Sequence, residues 1–152
     1  MIKIKAYLTD LDGVLRIWSS EIDRNAEIAV GLPERSLFRT AFAPDLLTPA
    51  ITGQVTDEVW RQSIVTRLQR DYPDIGDDGA QRAVETWSKP AGDVDMAMLD
   101  FIRTVRQHVP VVLVTNATTR LPADLQRLGI LDEFDHIINS SAVGVIKPNA
   151  GI

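Results

Sequence analysis

The chain has 152 residues, of which 45% are hydrophobic and 24% are charged, and its formal net charge at pH 7 is -5. This acidic balance, with no local run of Lys or Arg, excludes a protein that holds nucleic acid through its overall electrostatic field. The absence of cysteine excludes disulfides, thiolate metal sites and thiol nucleophiles. No stretch approaches the roughly 18 apolar residues of a membrane span, and the first apolar stretch is broken by acids and is no secretory signal. We therefore expect a cytoplasmic protein that binds neither membrane nor nucleic acid.

The first predicted strand covers residues 2–9 and runs into two acids. Its sequence, "IKIKAYLT", alternates and then turns apolar, which suits a strand that enters a sheet from an exposed end. Asp10 and Asp12 follow in "LTDLDGVL", and Gly13 then turns the chain. Two such carboxylates could hold Mg²⁺ and phosphate, with Asp10 attacking phosphorus and Asp12 acting as acid and base. An Asp-Gly turn that only stops the strand is equally compatible with these residues.

Residues 16 to about 92 are far more than a crossover between two strands requires, and they contain their own helical patterns. These patterns are "LPERSLFRTAF", "TDEVWRQSIVTRLQRDY" from Thr56 and "DDGAQRAVETWS" from Asp77. Thr56 is the expected N-cap of the second helix, and Asp77 and Asp78 are expected to cap the third rather than to bind metal. The apolar face of the second helix is predicted to be Val59, Trp60, Ile64 and Leu68. Trp60 and Trp87 are expected to pack inside this lobe, which is inserted after the first strand.

The last third of the chain alternates between helix and strand. The run "VVLVT" at 111–115 suits a strand buried on both faces, and a weaker strand is predicted at 136–140. A helix that starts near Leu121 and closes at Gly129 lies between them. The helix before the 111–115 strand has the apolar stripe Met96, Leu99, Ile102 and Val105. The alternation predicts a parallel sheet with right-handed crossovers and a ligand site at the carboxyl ends of its strands.

Polar residues follow the later strands at that same edge. Thr115 ends the 111–115 strand, so its hydroxyl and the N–H of Asn116 could bind a phosphate oxygen, or Thr115 could only cap the following helix. Lys147 in "GVIKPN" could neutralise both a phosphate and Asp10, or it could be a surface lysine.

Together, these elements resemble the haloacid dehalogenase-like (HAD) superfamily of hydrolases. "DLDGV" is similar to the first motif of that family, "VVLVTN" to the second and "IKPN" to the third. The resemblance implies that Asp10 is the nucleophile and that Asp12 is the acid and base. It also implies that Thr115 and Lys147 belong to the phosphate site.

The resemblance spans essentially the whole chain and assigns its parts. It implies an α/β fold with a three-layer, Rossmann-like parallel sheet of about three core strands, formed by residues 1–15 and 93–152. Residues 16–92 would be an inserted α-helical cap. Arg16 and Trp18 follow the first motif closely and are expected to line the substrate cleft. The other expected substrate contacts are Gly13, Thr115 and Asn116.

The second acid narrows the implied reaction. Family members that cleave carbon–halogen bonds lack an Asp at the position of Asp12, whereas phosphatases resemble this chain in having it. The resemblance therefore implies Mg²⁺-dependent hydrolysis of a small phosphorylated metabolite through an aspartyl-phosphate on Asp10. Asp10 and Asp12 would be the metal ligands.

The resemblance is incomplete beyond Lys147, where the chain stops at "KPNAGI" before the acidic fourth motif of the family. The magnesium site is then expected to consist of Asp10, the Asp12 carbonyl and water. The acids Asp132, Glu133 and Asp135 are expected at the amino end of the third strand, the wrong edge to replace that motif.

The missing motif has two further consequences. Residues 4–9 would form an exposed sheet edge, which predicts a homodimer or swapped assembly through that edge. A second function also stays open, a catalytically impaired fragment that serves as a binding or interaction module. A third, a phosphoryl-acceptor regulatory domain, does not explain the helical insertion.

Overall fold

The computed structural model describes residues 4–152 and divides the chain into two compact units. The core unit consists of the chain up to Trp18, the segment Ile51–Gly53 and residues Ala91–Ile152. The helical unit consists of Ser19–Ala50 and Gln54–Pro90. The predicted boundaries, after residues 15 and 92, lie a few residues from these, so Arg16 and Trp18 belong to the core unit rather than to the inserted segment. Residues 2 and 3 of the predicted first strand lie outside the described residues.

Strands and α-helices make up most of residues 4–152. The strands are β1 (Tyr7–Thr9), β2 (Arg16–Ile17), β3 (Asp93–Val94), β4 (Val111–Thr115) and β5 (His136–Asn139). The helices are α1 (Glu21–Ile28), α2 (Ser36–Ala41), α3 (Pro44–Ile51), α4 (Asp57–Asp71), α5 (Gly76–Ser88), α6 (Met96–Arg106), α7 (Leu121–Arg127) and α8 (Ser140–Val143). None of the described helices is long and apolar enough to cross a membrane.

The longer strands of the core unit form a parallel sheet in the order β1, β4, β5. Tyr7 of β1 pairs with Val111 of β4, and Val112 of β4 pairs with His136 of β5. The predicted α/β class with a parallel sheet is confirmed. Because all three strands run in the same direction, their carboxyl ends meet at one edge, and Asp10 is the first residue after β1.

The first strand is shorter than predicted, since within residues 4–9 only Tyr7–Thr9 pair with β4. In the described part of the chain β1 has no second neighbouring strand, and Leu8 on it is 63% exposed. An unpaired strand edge with an exposed apolar side chain is a template for pairing with another chain. Assembly of two copies through this edge stays a prediction.

Helices α6 and α7 pack an apolar cluster against β4. Leu99 and Ile102 of α6 are buried with Leu113 of β4, as the predicted stripe requires. Met96 was expected in that stripe but is 57% exposed, and Met98 packs against the cluster instead. The Asp95 side chain caps the helix by accepting the N–H of Met98, so Met96 is the first residue of α6 and lies beyond the edge of the cluster.

A short antiparallel ladder joins the two chain segments that flank the insertion. β2 and β3 pair Arg16 with Val94 and Ile17 with Asp93. Gly92 has a φ of +85°, and a Cβ on it would lie 2.8 Å from Cγ of Arg16, so the chain can pass over the arginine only at a glycine. Two-residue strands are too short to show an alternating pattern, so this ladder could not be predicted from the sequence.

In the helical unit, the N-cap and most of the predicted face of α4 are confirmed. The Thr56 side chain accepts the N–H of Val59, and Trp60, Ile64 and Leu68 are buried. Val59 was expected on this face, but it is half-exposed. At about 100° per residue, Val59 lies about 100° from Trp60 and about 180° from Leu68 around the helix axis, so it turns away from the apolar face.

The third predicted helix of this unit begins earlier than expected. α5 starts at Gly76 and its N-cap is Ile75, so Asp77 and Asp78 lie in the first turn, and the prediction that they cap the helix is wrong. Carboxylates in the first turn still favour the helix, because its amino end carries partial positive charge. α1 and α3 were not predicted.

Both tryptophans of the helical unit pack inside it, as predicted. The Trp60 indole donates to the Ala41 carbonyl at 3.2 Å, and the Trp87 indole donates to the Asp23 carboxylate at 2.7 Å. Their rings lie 5.7 Å apart in an edge-to-face arrangement.

Candidate active site

Asp10 stands at the carboxyl edge of the sheet, directly after β1. Its Oδ1 accepts the N–H of Leu11 at 2.7 Å, and its Oδ2 lies 2.6 Å from Nζ of Lys147. The Asp10 side chain remains 43% exposed. The main-chain bond and the ion pair fix the carboxylate, while a molecule from solvent can still reach it.

Lys147 connects two strand ends. Besides pairing with Asp10, its Nζ donates to the Val114 carbonyl of β4 at 2.8 Å. Its main chain is held by Asn116: the Lys147 N–H donates to Asn116 Oδ1 at 2.8 Å, and Asn116 Nδ2 donates to the Lys147 carbonyl at 3.2 Å. The Asn116 side chain is thus occupied in holding Lys147, and a phosphate contact of the Asn116 main-chain N–H stays a prediction.

Thr115 ends β4 as expected, beside Asn139 of β5, but it is only 1% exposed. A phosphate contact of its hydroxyl stays a prediction.

The loop after β4 is held by two residues that were not among the predicted site residues. Ser140 Oγ accepts the N–H of Ala117 at 3.1 Å, and Asn139 Nδ2 donates to the Thr118 carbonyl at 3.1 Å. Their signal was the change from apolar to polar residues in "HIINS".

The turn after Asp12 is closed by its own main chain. Gly13 has a φ of +77°, and its N–H donates to the Arg16 carbonyl at 2.9 Å. The N–H groups of Val14, Leu15 and Arg16 all point to the Leu11 carbonyl. The expected contact of Gly13 with a phosphate is therefore not supported, because its N–H is already used. The glycine is needed for its positive φ.

Asp12 is held quite differently from Asp10. Arg16 contacts both of its oxygens, with Nε 2.6 Å from Oδ1 and Nη2 3.0 Å from Oδ2. The Trp18 indole donates to the same Oδ1 at 2.7 Å, and the Asp12 side chain is 40% exposed. Each of the two neighbouring acids thus has its own cation, Lys147 for Asp10 and Arg16 for Asp12, which removes the cost of their mutual repulsion.

Arg16 does not line an open cleft, so that prediction is wrong. The residue is 5% exposed, and its Nη1 also lies 3.2 Å from Oδ2 of Asp124 in α7. Trp18 is half-exposed, and its ring lies 4.7 Å from the carbon at the centre of the Arg16 guanidinium. Of these two candidates, only Trp18 offers a surface to solvent.

The acids before β5 lie at the opposite edge of the sheet, as predicted. Asp135 accepts the N–H of Val111, the first residue of β4, at 2.8 Å, and it pairs with Arg106. The Val111 N–H and the Arg106 guanidinium lower the pKa of Asp135 below its ordinary value. Glu133 pairs with Arg103. These acids stabilise the amino end of the sheet and are not available to the Asp10 site.

Across residues 4–152, no group of three or more His, Cys, Asp or Glu side chains could hold a metal ion. At the Asp10 site the two carboxylates could not bind one metal ion together, because both oxygens of the Asp12 side chain contact Arg16. The residues fit a less demanding arrangement, since Mg²⁺ keeps several waters and often binds through one or two protein oxygens and a substrate phosphate.

The sequence matches no protein-family model and no curated protein. Solved structures do match. A HAD family enzyme from Bacteroides thetaiotaomicron, in complex with magnesium and inorganic phosphate, is 19% identical, with a TM-score of 0.69 over 97% of this chain and 74% of that one. A predicted HAD-like family hydrolase from Porphyromonas gingivalis is 21% identical, with a TM-score of 0.63 over 96% of this chain and 71% of that one.

A further match is the L-2-haloacid dehalogenase from Xanthobacter autotrophicus with chloropropionic acid covalently bound. It is 19% identical, with a TM-score of 0.57 over 98% of this chain and 62% of that one. The chain therefore has the fold of the HAD-like hydrolases, and the predicted resemblance is confirmed at the level of the fold. These similar structures include enzymes with different substrates, so the reaction has to be argued from the site.

Proposed function

We propose that this chain is a HAD-like hydrolase that cleaves phosphate monoesters through an aspartyl-phosphate on Asp10. The observation that carries the proposal is the Asp10–Lys147 pair at the carboxyl edge of the sheet, with a second acid two residues on. An exposed carboxylate can attack phosphorus, and a fixed ammonium beside it can stabilise the charge of the phosphoryl oxygens. The magnesium and phosphate bound to the similar Bacteroides enzyme support the same reaction class.

The proposed reaction has two steps. In the first, an Asp10 oxygen forms a bond to phosphorus, the bond from phosphorus to the alcohol oxygen breaks, and Asp12 gives a proton to that leaving oxygen. In the second, water attacks the phosphorus, Asp12 takes the proton from the water, and the bond between phosphorus and Asp10 breaks. The products are the alcohol and inorganic phosphate, and both aspartates return to their initial states.

Mg²⁺ is the proposed cofactor. The Asp10 carboxylate and the Asp12 main-chain oxygen would hold it, and water and the substrate phosphate would complete its coordination. A bound Mg²⁺ would withdraw charge from the phosphoryl oxygens. The proposed substrate is a small phosphorylated metabolite.

The test is hydrolysis of p-nitrophenyl phosphate by the wild-type chain and by Asp10→Asn, each with and without Mg²⁺. We expect turnover that needs Mg²⁺ and is lost in Asp10→Asn. Asparagine has nearly the same shape, and its oxygen can still accept the Leu11 N–H, so thermal unfolding should show that the variant is folded. A matched control is Asp100→Asn, an exposed acid of α6 that should leave activity unchanged.

The covalent step has its own readout. Mass spectrometry of acid-quenched enzyme should detect a phosphorylated form of the wild-type chain, with the phosphoryl group on a peptide that contains Asp10. A folded wild-type chain without turnover would contradict the proposal and favour the alternative, a binding or interaction module. Turnover that survives in Asp10→Asn would show that another residue is the nucleophile.

A further inference from the structure

Arg16 lies at the centre of a row of alternating charges in the core unit. Its guanidinium contacts Asp12 on one side and Asp124 on the other, and Nε of Arg120 lies 2.8 Å from Oδ1 of Asp124. The row therefore runs Asp12, Arg16, Asp124, Arg120. It begins at an acid of the proposed reaction and leads into α7, far from Asp12 in the sequence.

The side chains in the middle of this row are buried, whereas the side chain at the Asp12 end is partly exposed. Arg16 and Asp124 are both buried, whereas the Asp12 side chain is 40% exposed. A buried arginine and a buried carboxylate lose their hydration, and this loss is offset only when the geometry of the pair is good and the remaining donors are bound. Arg16 meets this condition, because its Nε, Nη1 and Nη2 all contact carboxylate oxygens.

Arg16 is also fixed from the side of its main chain. Its N–H donates to the Leu11 carbonyl at 2.8 Å, and its carbonyl accepts the N–H of Gly13 at 2.9 Å. Gly92 packs against the aliphatic part of the side chain with no room for a Cβ. The guanidinium can therefore occupy few positions, and a planar fork in a fixed position fixes the plane of the carboxylate that it binds.

We propose that Arg16 is a positioning residue for Asp12 and that Asp124 sets the position of Arg16. Arg16 fixes the plane and the position of the Asp12 carboxyl group, which has to face the attacking water in the second step of the proposed reaction. The inference rests on the proposed function for its kinetic consequence. Its structural part, the link from Asp124 through Arg16 to Asp12, does not depend on activity.

The kinetic test compares Arg16→Gln and Arg16→Lys with the wild-type chain on p-nitrophenyl phosphate. This substrate has a good leaving group, so loss of an oriented Asp12 should slow the second step more than the first. We expect kcat and KM to fall together, with kcat reduced about 100-fold, which is the size of loss that misplacement of a catalytic group causes. A burst of p-nitrophenol and an accumulated phosphoenzyme should accompany the loss.

The two variants separate orientation from charge. Lysine keeps the positive charge but lacks the planar fork, so Arg16→Lys should show the same burst as Arg16→Gln. Wild-type values of kcat and KM without a burst in Arg16→Lys would overturn the proposal, because a positive charge at this position would then be enough to position Asp12. A fall in kcat with unchanged KM and no burst would also overturn it, since a purely structural defect lowers only the fraction of active enzyme.

The structural test uses the Trp18 indole, whose N–H donates to Asp12 Oδ1 and whose NMR signal reports the position of that oxygen. Asp124→Asn changes a partner of Arg16 that pairs with arginines, whereas the Trp18 indole donates to Asp12. We expect this variant to shift the Trp18 indole signal and to leave those of Trp60 and Trp87 in place. The matched control is Asp45→Asn, which breaks an exposed Asp–Arg pair of the helical unit and should not move the Trp18 signal.

The outcomes are distinguishable from a failure of the proposed function. An unmoved Trp18 signal in Asp124→Asn would overturn the inference whether or not the chain is active. A shifted Trp18 signal without turnover in the wild-type chain would support the link from Asp124 to Asp12 and would reject only the phosphatase reaction.

Discussion

The core unit and the helical unit use their acidic side chains differently. In the helical unit, the buried Glu27 carboxylate accepts the N–H groups of Arg35 and Leu37 at 2.8 Å each, so it binds the main chain at the start of α2. In the core unit, Asp10 and Asp12 bind cations and stay partly exposed at the end of a strand. The Glu27 contacts stabilise the scaffold, whereas the pairs of Asp10 and Asp12 lie at the carboxyl edge of a parallel sheet, where ligands bind in such folds.

The two units also have separate apolar clusters. Leu113 belongs to the cluster of the core unit, and Ile64 belongs to that of the helical unit. Both side chains are fully buried. A cavity in either cluster should therefore lower the stability of its own unit, and this is the largest effect that we expect.

Leu113→Ala and Ile64→Ala should each lower the free energy of unfolding of their own unit by about 2–5 kcal/mol, because each leaves a cavity among packed side chains. Hydrogen exchange measured by mass spectrometry should show faster exchange of β4 and β5 in the first variant and of α4 and α5 in the second. Faster exchange across both units in either variant would contradict the separation of the clusters.

Lys147→Met tests whether the ion pair of Asp10 in the core unit is needed for turnover. It keeps most of the length of the side chain and removes the charge beside Asp10, so we expect kcat for p-nitrophenyl phosphate to fall by about 10²–10³-fold, as when one preorganised group that stabilises the transition state is lost. Arg67→Gln is the control, since it removes the cation from an exposed Asp–Arg pair of the helical unit. Equal losses in the two variants would mean that the core pair has no special role.

Glu27→Gln tests whether the buried Glu27 carboxylate stabilises the helical unit. The amide keeps one acceptor oxygen, so one of the two N–H groups at the start of α2 loses its partner. We expect the free energy of unfolding of the helical unit to fall by about 1–3 kcal/mol, the cost of a buried polar group without a partner. Chemical denaturation followed by tryptophan fluorescence would measure it, with Glu34→Gln, an exposed neighbour, as the control. A change in kcat without a change in stability would contradict the structural role.

The sequence predicted those parts of the fold that have a strong period or a strong local signal. The β-branched run 111–115, the Thr56 cap and the buried stripe of Leu99 and Ile102 were all visible, because each depends on neighbours along the chain. Val59 was misplaced because it is one position off the stripe and faces away from it, and Met96 was misplaced because it is the first residue of its helix and lies beyond the edge of the cluster. β2 and β3 were missed because two residues carry no period.

The sequence predicted one contact of the candidate site and missed the others. Asp10 and Lys147 were expected to meet, since parallel strands bring their carboxyl ends together. The pairing of Arg16 with Asp124 could not be predicted, because the two residues are far apart in the sequence and neither lies in a motif. Asn116 was expected to contact substrate through its main-chain N–H, and only the fold shows that its side-chain amide holds the main chain of Lys147.

The smallest expected effect concerns Asp135, at the edge of the core sheet that the proposed reaction does not use. The N–H of Val111 and the guanidinium of Arg106 lower its pKa below the ordinary value of 3.8 in the folded state. A carboxylate with a lowered folded-state pKa stabilises the fold above its unfolded-state pKa, and this contribution is lost as the pH falls through the folded-state value. Asp135→Asn should therefore be slightly less stable than the wild-type chain at neutral pH, and this gap should close as the pH falls below about 4.

The measurement is the denaturation midpoint of both chains across that pH range, with activity on p-nitrophenyl phosphate recorded at neutral pH. The expected midpoint difference is small, because the side chain is partly exposed and water screens its interaction with Arg106. Activity should stay unchanged, since Asp135 lies at the amino end of the sheet and Asp10 at the carboxyl end. A difference between the two denaturation midpoints that stays constant as the pH falls below about 4 would mean that the Asp135 side chain acts through its shape rather than its charge. A loss of activity would mean that the two edges of the sheet are coupled, and the separation of scaffold from chemistry would then fail within the core unit itself.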